Sequence, residues 1–516
     1  MALSFDVRPV DPASLRGQAD AALFERLASA DAARRGFPGF APERADHASG
    51  SRFGETRAPV RHVVAGQQPG LLTGPMYTFL KAVSAITLSR RIATGYGAPI
   101  RPLFWVASED HDVIEVNRVT VNGRRFVHPY AGSLERGRVP PVTAIALADA
   151  REPLLAFLRE ALPPTEFTPW VLDQVAGLDF TSYATAFTSL LRALFGAWPL
   201  EPMEPGALRA RTAPVLAEIV ERWPELERAL EEGANTLRGA GLAPPLAGLR
   251  LFEIVAGARV PVEIDGDRVS LAAGVVSRTA AAEEIRRRPR DFSPGAALRP
   301  LCQDAVLPVV VTLGGPTELA YLWQIRPLYD VMEIRPSRLH PRISATFLEP
   351  AIARAVQKAG LAPEAVFAAL ESPATAADAG AAAGAGAARV DLEASLRGSI
   401  ERRGGELLAD IDRLDRPDAP RWLRTGRDGV ASGVRRIVEG LDEERRAAAG
   451  LDRARREKIR AALLPGGRLQ ERTTNVIEFL NRHGPDFVAR AIETLDPLAR
   501  GHQVVVISSD TGRERS

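Results

Sequence analysis

The sequence predicts an α/β fold built on a parallel sheet, followed by an antiparallel α-helical coiled-coil hairpin. Apolar, strand-like runs at 63–65 and 306–313 each lead through a glycine-rich turn into a helical pattern. The run at 102–107 is apolar throughout, as expected for a strand that is buried on both faces. Leucine, isoleucine and valine recur at near-heptad spacing from 392 to 451, which is typical of a coiled coil.

Composition describes an ordinary globular protein: of its 516 residues, 46% are hydrophobic and 25% are charged. The net charge of +2 gives no global field that would favour nucleic acid as a partner. The single cysteine, Cys302, excludes an intramolecular disulfide, and we expect it to be a buried filler beside a strand. We expect a cytoplasmic protein without a membrane span, because no secretion signal and no apolar run of roughly 20 residues occurs.

The pattern along the chain predicts three regions. The first is a core over 1–370 that carries a mainly helical insertion near 150–245, and the second is a linker and coiled-coil hairpin over 371–465. The third, 466–516, is predicted to return to the core through a short strand near 503–507. Smaller predicted features are helix-like pieces such as 21–28, a β excursion over 119–150, and a hairpin turn at 265–267.

The first glycine-rich turn is the best candidate for an anion site. Glycines let the backbone approach a ligand closely, and the first turn of a helix offers unpaired amides to negative charge. Only three of the 66 basic residues are lysines, and Lys81 follows this turn as a compact charge that could meet a phosphate or a carboxylate. Alternatively, Lys81 is a solvated helix residue. The other candidate binding residues here are Gly66, Gln67, Gln68, Thr73, Gly74 and Tyr77.

Four ionisable residues follow the apolar strand at 102–107, namely Glu109, Asp110, His111 and Asp112. Such a cluster is costly to bury unless it faces a cleft where a ligand or a metal shares the charge. The functional alternatives are acid or base catalysis by His111 and binding of a cation by the carboxylates together with His111. A structural alternative is that the acids cap the next helix and that His111 lies in a turn.

The third block begins with Arg299, Gln303 and Asp304, ahead of the strand at 306–313. That strand ends in a second glycine turn, and a proline at the first helical position again permits close approach by a ligand. Because ligands bind beyond the carboxyl ends of parallel strands, we expect the three blocks to form three sides of one cleft. The candidate residues of the second turn are Gly314, Gly315 and Glu318.

Four segments resemble the bacillithiol biosynthesis cysteine-adding enzyme family: 66–81, 104–115, 299–318 and the tail motif Leu-Gln-Glu-Arg at 469–472. They occur in the same order as in the family, over nearly the whole chain. The resemblance implies a nucleotidyltransferase-like Rossmann core with inserted connecting segments and a coiled coil that mediates homodimerisation. It also implies a ligase that adds cysteine to the amino group of glucosaminyl-malate, the last step of bacillithiol biosynthesis.

An amide bond does not form in water unless the carboxyl group is activated, so the resemblance points to ATP or another nucleotide, with Mg²⁺, as cofactor. In this hypothesis the first glycine turn and Lys81 hold phosphates, and His111 stabilises charge or moves a proton. The neighbouring acids orient the amine or the magnesium ion, and Arg299 pairs with a substrate carboxylate. Two alternatives are another nucleotidyltransferase-like enzyme that activates an amino acid, and a coiled-coil scaffold that merely binds nucleotide.

Overall fold

The computed structural model describes residues 3–10, 51–53, 60–96, 99–110, 112–128, 140–371, 384–414, 421–499 and 501–509. The predicted helix-like piece at 21–28 and the candidate His111 lie outside this part of the chain. The structure divides into two units, Met1–Phe347 with Gly467–Ser516, and Leu348–Gly466. The expected boundary near residue 370 therefore lies inside the second unit.

The strands of the described residues, in chain order, are β1 (Leu3–Pro9), β2 (Arg61–Gln67), β3 (Ile100–Val106), β4 (Arg118–Val121), β5 (Arg124–Val127), β6 (Glu201–Met203), β7 (Leu251–Val255), β8 (Ala258–Asp265), β9 (Arg268–Leu271), β10 (Gly274–Ser277), β11 (Phe292–Pro294), β12 (Val309–Gly314), β13 (Arg338–Pro341), β14 (Ser344–Leu348) and β15 (His502–Ser509).

The α-helices of the same residues are α1 (Met76–Tyr96), α2 (Val113–Val116), α3 (Arg151–Ala161), α4 (Thr168–Ala176), α5 (Tyr183–Phe195), α6 (Arg209–Glu221), α7 (Trp223–Gly239), α8 (Arg278–Arg287), α9 (Arg299–Val306), α10 (Pro316–Gln324), α11 (Arg326–Val331), α12 (Pro350–Lys358), α13 (Val366–Glu371), α14 (Gly384–Leu414), α15 (Arg421–Leu463), α16 (Val476–His483) and α17 (Asp486–Thr494). No helix among them is long and apolar enough to cross a membrane.

The central sheet has the strand order β13-β12-β2-β3-β6, and every neighbouring pair is parallel. The chain runs outward from β2 through α1 to β3, and later from β12 through α10 and α11 to β13 on the opposite side. The direction of progression thus reverses between β2 and β12. This reversal is a topological switch point, the place where an open α/β sheet forms a crevice at its carboxyl edge.

Alternate residues of the central strands pack into two different hydrophobic clusters. Phe104 and Val106 of β3 belong to one cluster with α1 and α5, whereas Leu103 and Trp105 belong to the other with α6, α7 and α9. The sheet is therefore buried on both faces, which explains why residues 102–107 are uniformly apolar instead of alternating. The predicted α/β fold with a parallel sheet is confirmed.

Three features of the core differ from the sequence prediction. The segment at 150–245 is mainly helical as predicted, but it also supplies β6, the edge strand next to β3. Residue 306 ends helix α9, and the strand begins only at Val309, because Pro308 disfavours helical geometry in the residue before it. Among the described residues of the predicted β excursion, β4 and β5 form a hairpin, and residues 142–144 and 148–150 form 3₁₀ turns.

Besides the β4–β5 hairpin, the described residues form two further sheets. The antiparallel sheet β10-β9-β8-β7-β11 contains the predicted hairpin turn, since Asp265 pairs with Arg268 and Gly266 has a φ of 57°. The C-terminal strand β15 lies between β1 and β14 in a separate three-stranded sheet. The tail strand thus pairs with the first strand of the chain and does not join the central sheet.

The second unit contains the predicted hairpin of two long helices, α14 with 31 residues and α15 with 43. The helices are antiparallel, since Arg427 Nε donates to Asp412 Oδ1 at 2.5 Å and Gly404 lies against Val434. A Cβ atom added to Gly404 would lie 2.7 Å from Val434 Cγ2, so this glycine permits close helix packing.

Candidate active site

A cleft of about 460 Å³ lies at the switch point between β2 and β12. Its wall includes Gly66 and Gln67 from the end of β2, Glu109 and Asp110 after β3, and Gly315 after β12. The three blocks that the sequence analysis expected to converge do meet here. Because these segments follow three adjacent strands, the parallel topology alone brings their ends to one edge of the sheet.

Lys81 lies at the base of the cleft with 2% of its surface exposed. Its ammonium group donates to Gly66 O and to Gln67 Oε1, each at 2.7 Å, and lies 2.6 Å from Glu318 Oε2. These three acceptors match the three hydrogens of an ammonium group. Burial lowers the pKa of Lys81, and the neighbouring carboxylate of Glu318 opposes that shift. The ammonium group already ties two walls of the cleft together.

The N-terminus of helix α10 forms another wall, through Gly315, Pro316, Thr317 and Glu318. The Glu318 carboxylate turns back and accepts from the amide of Gly315 at 2.8 Å, in the manner of a capping residue. Gly314 itself does not line the cleft, but it packs against the first turn of this helix. A Cβ atom there would lie 3.1 Å from that of Glu318, so a side chain at this position would press on the first turn of the helix.

Arg342 reaches the cleft from the segment between β13 and β14 and is 6% exposed. Its guanidinium forms a buried bidentate pair with Glu471, with Nη2 at 2.6 Å from Oε1 and Nη1 at 3.1 Å from Oε2. It also lies over the ring of Tyr77, 5.7 Å from the centroid. Burial, together with Glu115 and Glu318, raises the pKa of Tyr77 to about 12, so this phenol is neutral at pH 7.

A second guanidinium group in the cleft belongs to Arg299, the first residue of helix α9. Its Nη2 donates to the hydroxyl of Tyr321 at 3.0 Å, and its guanidinium lies 5.8 Å from the ring centroid of Trp105. Arg259 also lines the cleft, stacked 3.7 Å above the ring of Phe252. The arginines of the cleft are therefore held by aromatic faces and hydrogen bonds, which keeps their side chains ordered.

The acidic end of the cleft follows β3. Glu109 is buried and already engaged, because it accepts from Arg209 Nε at 2.8 Å and from Ser293 Oγ at 2.6 Å. Asp110 accepts from Gln68 Nε2 at 2.5 Å. Glu115 also lines the cleft, and burial, followed by Asp112 and Asp110, raises its pKa.

Asp112 has a different place from its neighbours. It is exposed, does not line the cleft, and accepts from the amide of Glu115 at 3.2 Å as the N-cap of α2. The contacts of Asp112 are therefore those of the structural alternative, in which the acids cap the next helix. A short polar side chain directly before a helix favours this capping geometry over a cleft-facing one.

The glycine turn itself faces away from the cleft. Only Gly66, Gln67 and Gln68, and then Tyr77 and Lys81 on α1, line the cavity, whereas Thr73 and Gly74 do not. The turn amides are used within the chain: those of Gly70, Gly74 and Met76 donate to Gln68 O, Leu71 O and Thr474 O, respectively. The expected phosphate cradle fits this turn poorly, because three of its amides already have acceptors and its residues Thr73 and Gly74 do not line the cleft.

Gln303 and Asp304 lie in the core and do not line the cleft. Asp304 is 1% exposed and accepts from the amide of Ser337 at 2.8 Å and from the hydroxyl of Tyr329 at 3.2 Å. Burial raises the pKa of Asp304. It also raises the pKa of the Cys302 thiol, to about 12. The expectation that Cys302 is a buried filler agrees with its 2% exposure.

Several cleft residues were not among the sequence candidates. They include Trp105, Glu115, Arg259, Tyr321, Arg342 and Arg472. Glu115 follows the acidic cluster closely enough to have been included with it. The arginines could not be singled out, because arginine makes up almost all of the basic residues and only tertiary contacts show which ones reach the cleft.

The two expected cofactors fit these contacts differently. Within the described ranges, no three aspartate, glutamate, histidine or cysteine side chains stand close enough to hold a metal ion. Magnesium in phosphoryl-transfer sites is commonly held by one or two carboxylates and the substrate's own phosphates, for which Asp110 and Glu115 are suited. Nucleotide phosphates would find donors at the start of α10 and at Arg342, not at the first glycine turn.

The fold and the cleft define a class: a Rossmann-like α/β protein with a ligand cleft at its switch point, lined by ionisable groups of both signs. Comparison with known families agrees. The chain matches the Bacillithiol biosynthesis BshC, N-terminal Rossmann-like domain over residues 56–343, and the Bacillithiol biosynthesis BshC, C-terminal coiled-coil domain over 436–507. The protein belongs to the BshC family.

Relatives match over most of their length. A protein of Symbiobacterium thermophilum named "Putative cysteine ligase BshC" is 30% identical over 476 residues, which cover 85% of this chain and 82% of the relative. A protein of the same name from Salinibacter ruber is 29% identical over 462 residues, with 86% and 82% covered. A third, from Solibacter usitatus, is 29% identical over 472 residues, with 86% and 84% covered.

Proposed function

We propose that this protein is a cysteine ligase that adds cysteine to the amino group of glucosaminyl-malate in the last step of bacillithiol biosynthesis. Membership of the BshC family and the names of the relatives support the ligase activity. The observation that carries the choice of substrates is the lining of the cleft, which includes both carboxylates, as at Asp110 and Glu115, and guanidinium groups, as at Arg299 and Arg342. An amine and an anion on the same molecule match a cleft with groups of both signs.

The acidic end suits the amino group. An amine attacks a carbonyl carbon only when it is unprotonated, so the site must accept a proton from the ammonium form. Asp110 is oriented by Gln68, and the raised pKa of Glu115 brings that carboxylate closer to the range in which it exchanges a proton. We assign Glu115 as the proton acceptor and Asp110 as the group that orients the amine, with His111 as a further candidate in the same segment.

The basic end suits carboxylates. Arg299 and Arg342 present planar donors that pair with a carboxylate in a bidentate manner, and the first-turn amides of α10 add positive potential. The malyl group of the conjugate carries such carboxylates. A phosphate of a nucleotide could use the same donors during activation of the cysteine carboxyl group. ATP with Mg²⁺, when bound, would supply that activation.

Purified protein with cysteine, glucosaminyl-malate, ATP and Mg²⁺ is expected to form the amide product, detected by mass spectrometry. Glu115→Gln is expected to lower the rate by about 10²- to 10⁴-fold, the range for loss of a general base. Glu160→Gln makes the same carboxylate-to-amide change at an exposed residue of α3 and serves as the control. No product from the wild-type protein, or an unchanged rate for Glu115→Gln, would contradict the corresponding part of the proposal.

We further propose that the protein is a cytoplasmic homodimer formed through the coiled-coil hairpin. Leu396, Leu407 and Ile437 on the hairpin are 49%, 49% and 52% exposed, which is unusual for large apolar side chains at near-heptad spacing. Burying them against a second copy would remove this surface from water. Leu396→Glu with Leu407→Glu is expected to yield a monomer in light-scattering chromatography, and a persistent dimer would place the interface elsewhere.

A further inference from the structure

A chain of buried polar groups connects the cleft with the C-terminal strand. From Arg342 it passes to Glu471, then to Ser344, whose Oγ donates to Glu471 Oε2 at 3.0 Å. His502 Nδ1 lies 2.7 Å from the same Ser344 oxygen, and His502 Nε2 lies 2.8 Å from Thr346 Oγ1. All of these groups belong to the first unit, and two of them lie beyond residue 466.

Counting hydrogens fixes the direction of every bond in this chain. A serine hydroxyl has one hydrogen, and since Ser344 gives it to Glu471, Ser344 must accept from His502 Nδ1–H. A neutral imidazole with its hydrogen on Nδ1 then accepts at Nε2 from the hydroxyl of Thr346. Burial lowers the pKa of His502 to about 4, which agrees with this neutral form.

Glu471 collects four donors. Arg342 supplies two, Ser344 the third, and the amide of Ala345 the fourth at 3.0 Å. Burial alone would raise the pKa of Glu471, but Arg342 and the hydrogen bonds hold it below its ordinary value. A carboxylate with this many donors has one orientation, so the guanidinium paired with it also has one orientation.

Arg342 keeps donors for a ligand. Of its five N–H groups, two pair with Glu471 and one donates to the carbonyl of Ile343 at 2.8 Å. Within the described part of the chain, its Nε–H and one Nη2–H have no protein acceptor. The Nε atom lies toward Gly315 at the start of α10, where a Cβ atom would be 3.7 Å away. Arg342 therefore presents spare donors beside the positive end of a helix, on the wall of the cleft.

We propose that Glu471 and His502, through Ser344, are positioning residues that hold the Arg342 guanidinium as an anion-binding group of the cleft. The inference rests on the proposed function for the identity of the anion, which is a carboxylate of a substrate or a phosphate of a nucleotide. Neither positioning residue touches the ligand. They keep the Arg342 side chain from rotating away, so the conformational entropy of this side chain is already lost before the ligand binds.

The experiment measures ligand binding by calorimetry in four full-length proteins: wild type, Ser344→Ala, Glu471→Gln and, as control, Ser508→Ala. Ser508 lies on the same strand as His502 but bonds only to Ser4 on the surface. Separate titrations use glucosaminyl-malate, cysteine, ATP and inorganic phosphate. Thermal unfolding of each protein shows whether it is folded at the temperature of titration.

Ser344→Ala is expected to weaken binding of the anion held by Arg342 by about 3- to 10-fold, the worth of one hydrogen bond, and Ser508→Ala to leave it unchanged. Glu471→Gln is expected to weaken it by about 10- to 100-fold. The ligand whose affinity falls identifies the anion. In turnover, the same variants should raise KM for that ligand with little change in kcat, a split that a merely structural role would not produce.

The outcomes separate the two proposals. If the wild-type protein binds phosphate but not the conjugate, and the variants bind phosphate more weakly, the positioning role stands and the proposed function fails. If folded Ser344→Ala and Glu471→Gln bind every titrated ligand as tightly as the wild type, the positioning role is wrong even if the protein is a ligase.

Discussion

The turn between β2 and α1 provides the sharpest test of the fold around the cleft. Leu72, Thr73 and Gly74 have consecutive positive φ values of 49°, 68° and 71°, a conformation that costs energy for the two non-glycine residues. Asn475, in the tail, holds this turn. Its Nδ2 donates to Leu72 O at 2.9 Å and to Gly74 O at 2.6 Å.

Asn475→Ala removes three interactions at once. Two buried carbonyl groups lose their donor, at about 1 kcal/mol each for the hydrogen bonds alone. The side chain also caps α16, because Oδ1 accepts from the amide of Ile477 at 2.9 Å, and losing an N-cap costs about 1 kcal/mol. We therefore expect the free energy of unfolding to fall by about 3 kcal/mol. Asn475→Ser keeps a capping oxygen and should lose only about 2 kcal/mol.

Urea unfolding followed by far-UV circular dichroism measures both changes in parallel. The difference between the two variants gives the contribution of the N-cap to stability. The loss common to both gives the contribution of the two hydrogen bonds from Asn475 to the turn. If Asn475→Ala changes the free energy of unfolding by less than about 1 kcal/mol, the turn keeps its conformation without the tail, and the reasoning is refuted.

Three further predictions use the same unfolding assay. Gly233→Ala should lower stability by about 1–3 kcal/mol, because its Cβ would lie 1.8 Å from Gln324 O, whereas Gly239→Ala on the same helix meets nothing within 4 Å and should be neutral or stabilising. Burial lowers the pKa of His502 from 6.5 to about 4, so its contribution to stability is complete above pH 6.5 and is lost as the pH falls toward 4. The free energy of unfolding should fall by about 3 kcal/mol over this range in the wild type but not in His502→Asn. Equal pH profiles for the two proteins would contradict this prediction. Lys81→Met should lower the free energy of unfolding by about 1–3 kcal/mol, because it leaves buried acceptors unpaired. It should also abolish ligation. Full activity in a stable variant would contradict the role of Lys81 in connecting the walls of the cleft.

The sequence predicted the parts of the fold that depend on local patterns. Uniformly apolar residues 102–107 marked a strand buried on both faces, and the two glycine turns marked strand ends that meet at one edge of a sheet. Strand β6 was missed because three residues, Glu201–Met203, are too short to show any period. Strand β1 was missed for a different reason: its partner β15 lies at the other end of the chain.

The site was predicted as a location more accurately than as a set of contacts. Glu109 and Asp110 follow β3 and had to lie near the cleft, but nothing in the sequence shows that Glu109 is paired with Arg209, about 100 residues away. Thr73 and Gly74 were chosen because glycine turns often bind anions. Which way such a turn faces depends on the element that packs on it, here the tail at Thr474 and Asn475.

Lys81 shows how the same residue type in the same pattern leads to a different role. A lysine after a glycine turn was expected to meet a phosphate, but its ammonium joins Gly66 and Gln67 at the end of β2 to Glu318 at the start of α10. These two segments lie on opposite sides of the switch point, and a buried cation with three acceptors connects them. Lys81 therefore connects two walls of the cleft, and anion binding by Arg299 and Arg342 is our proposal.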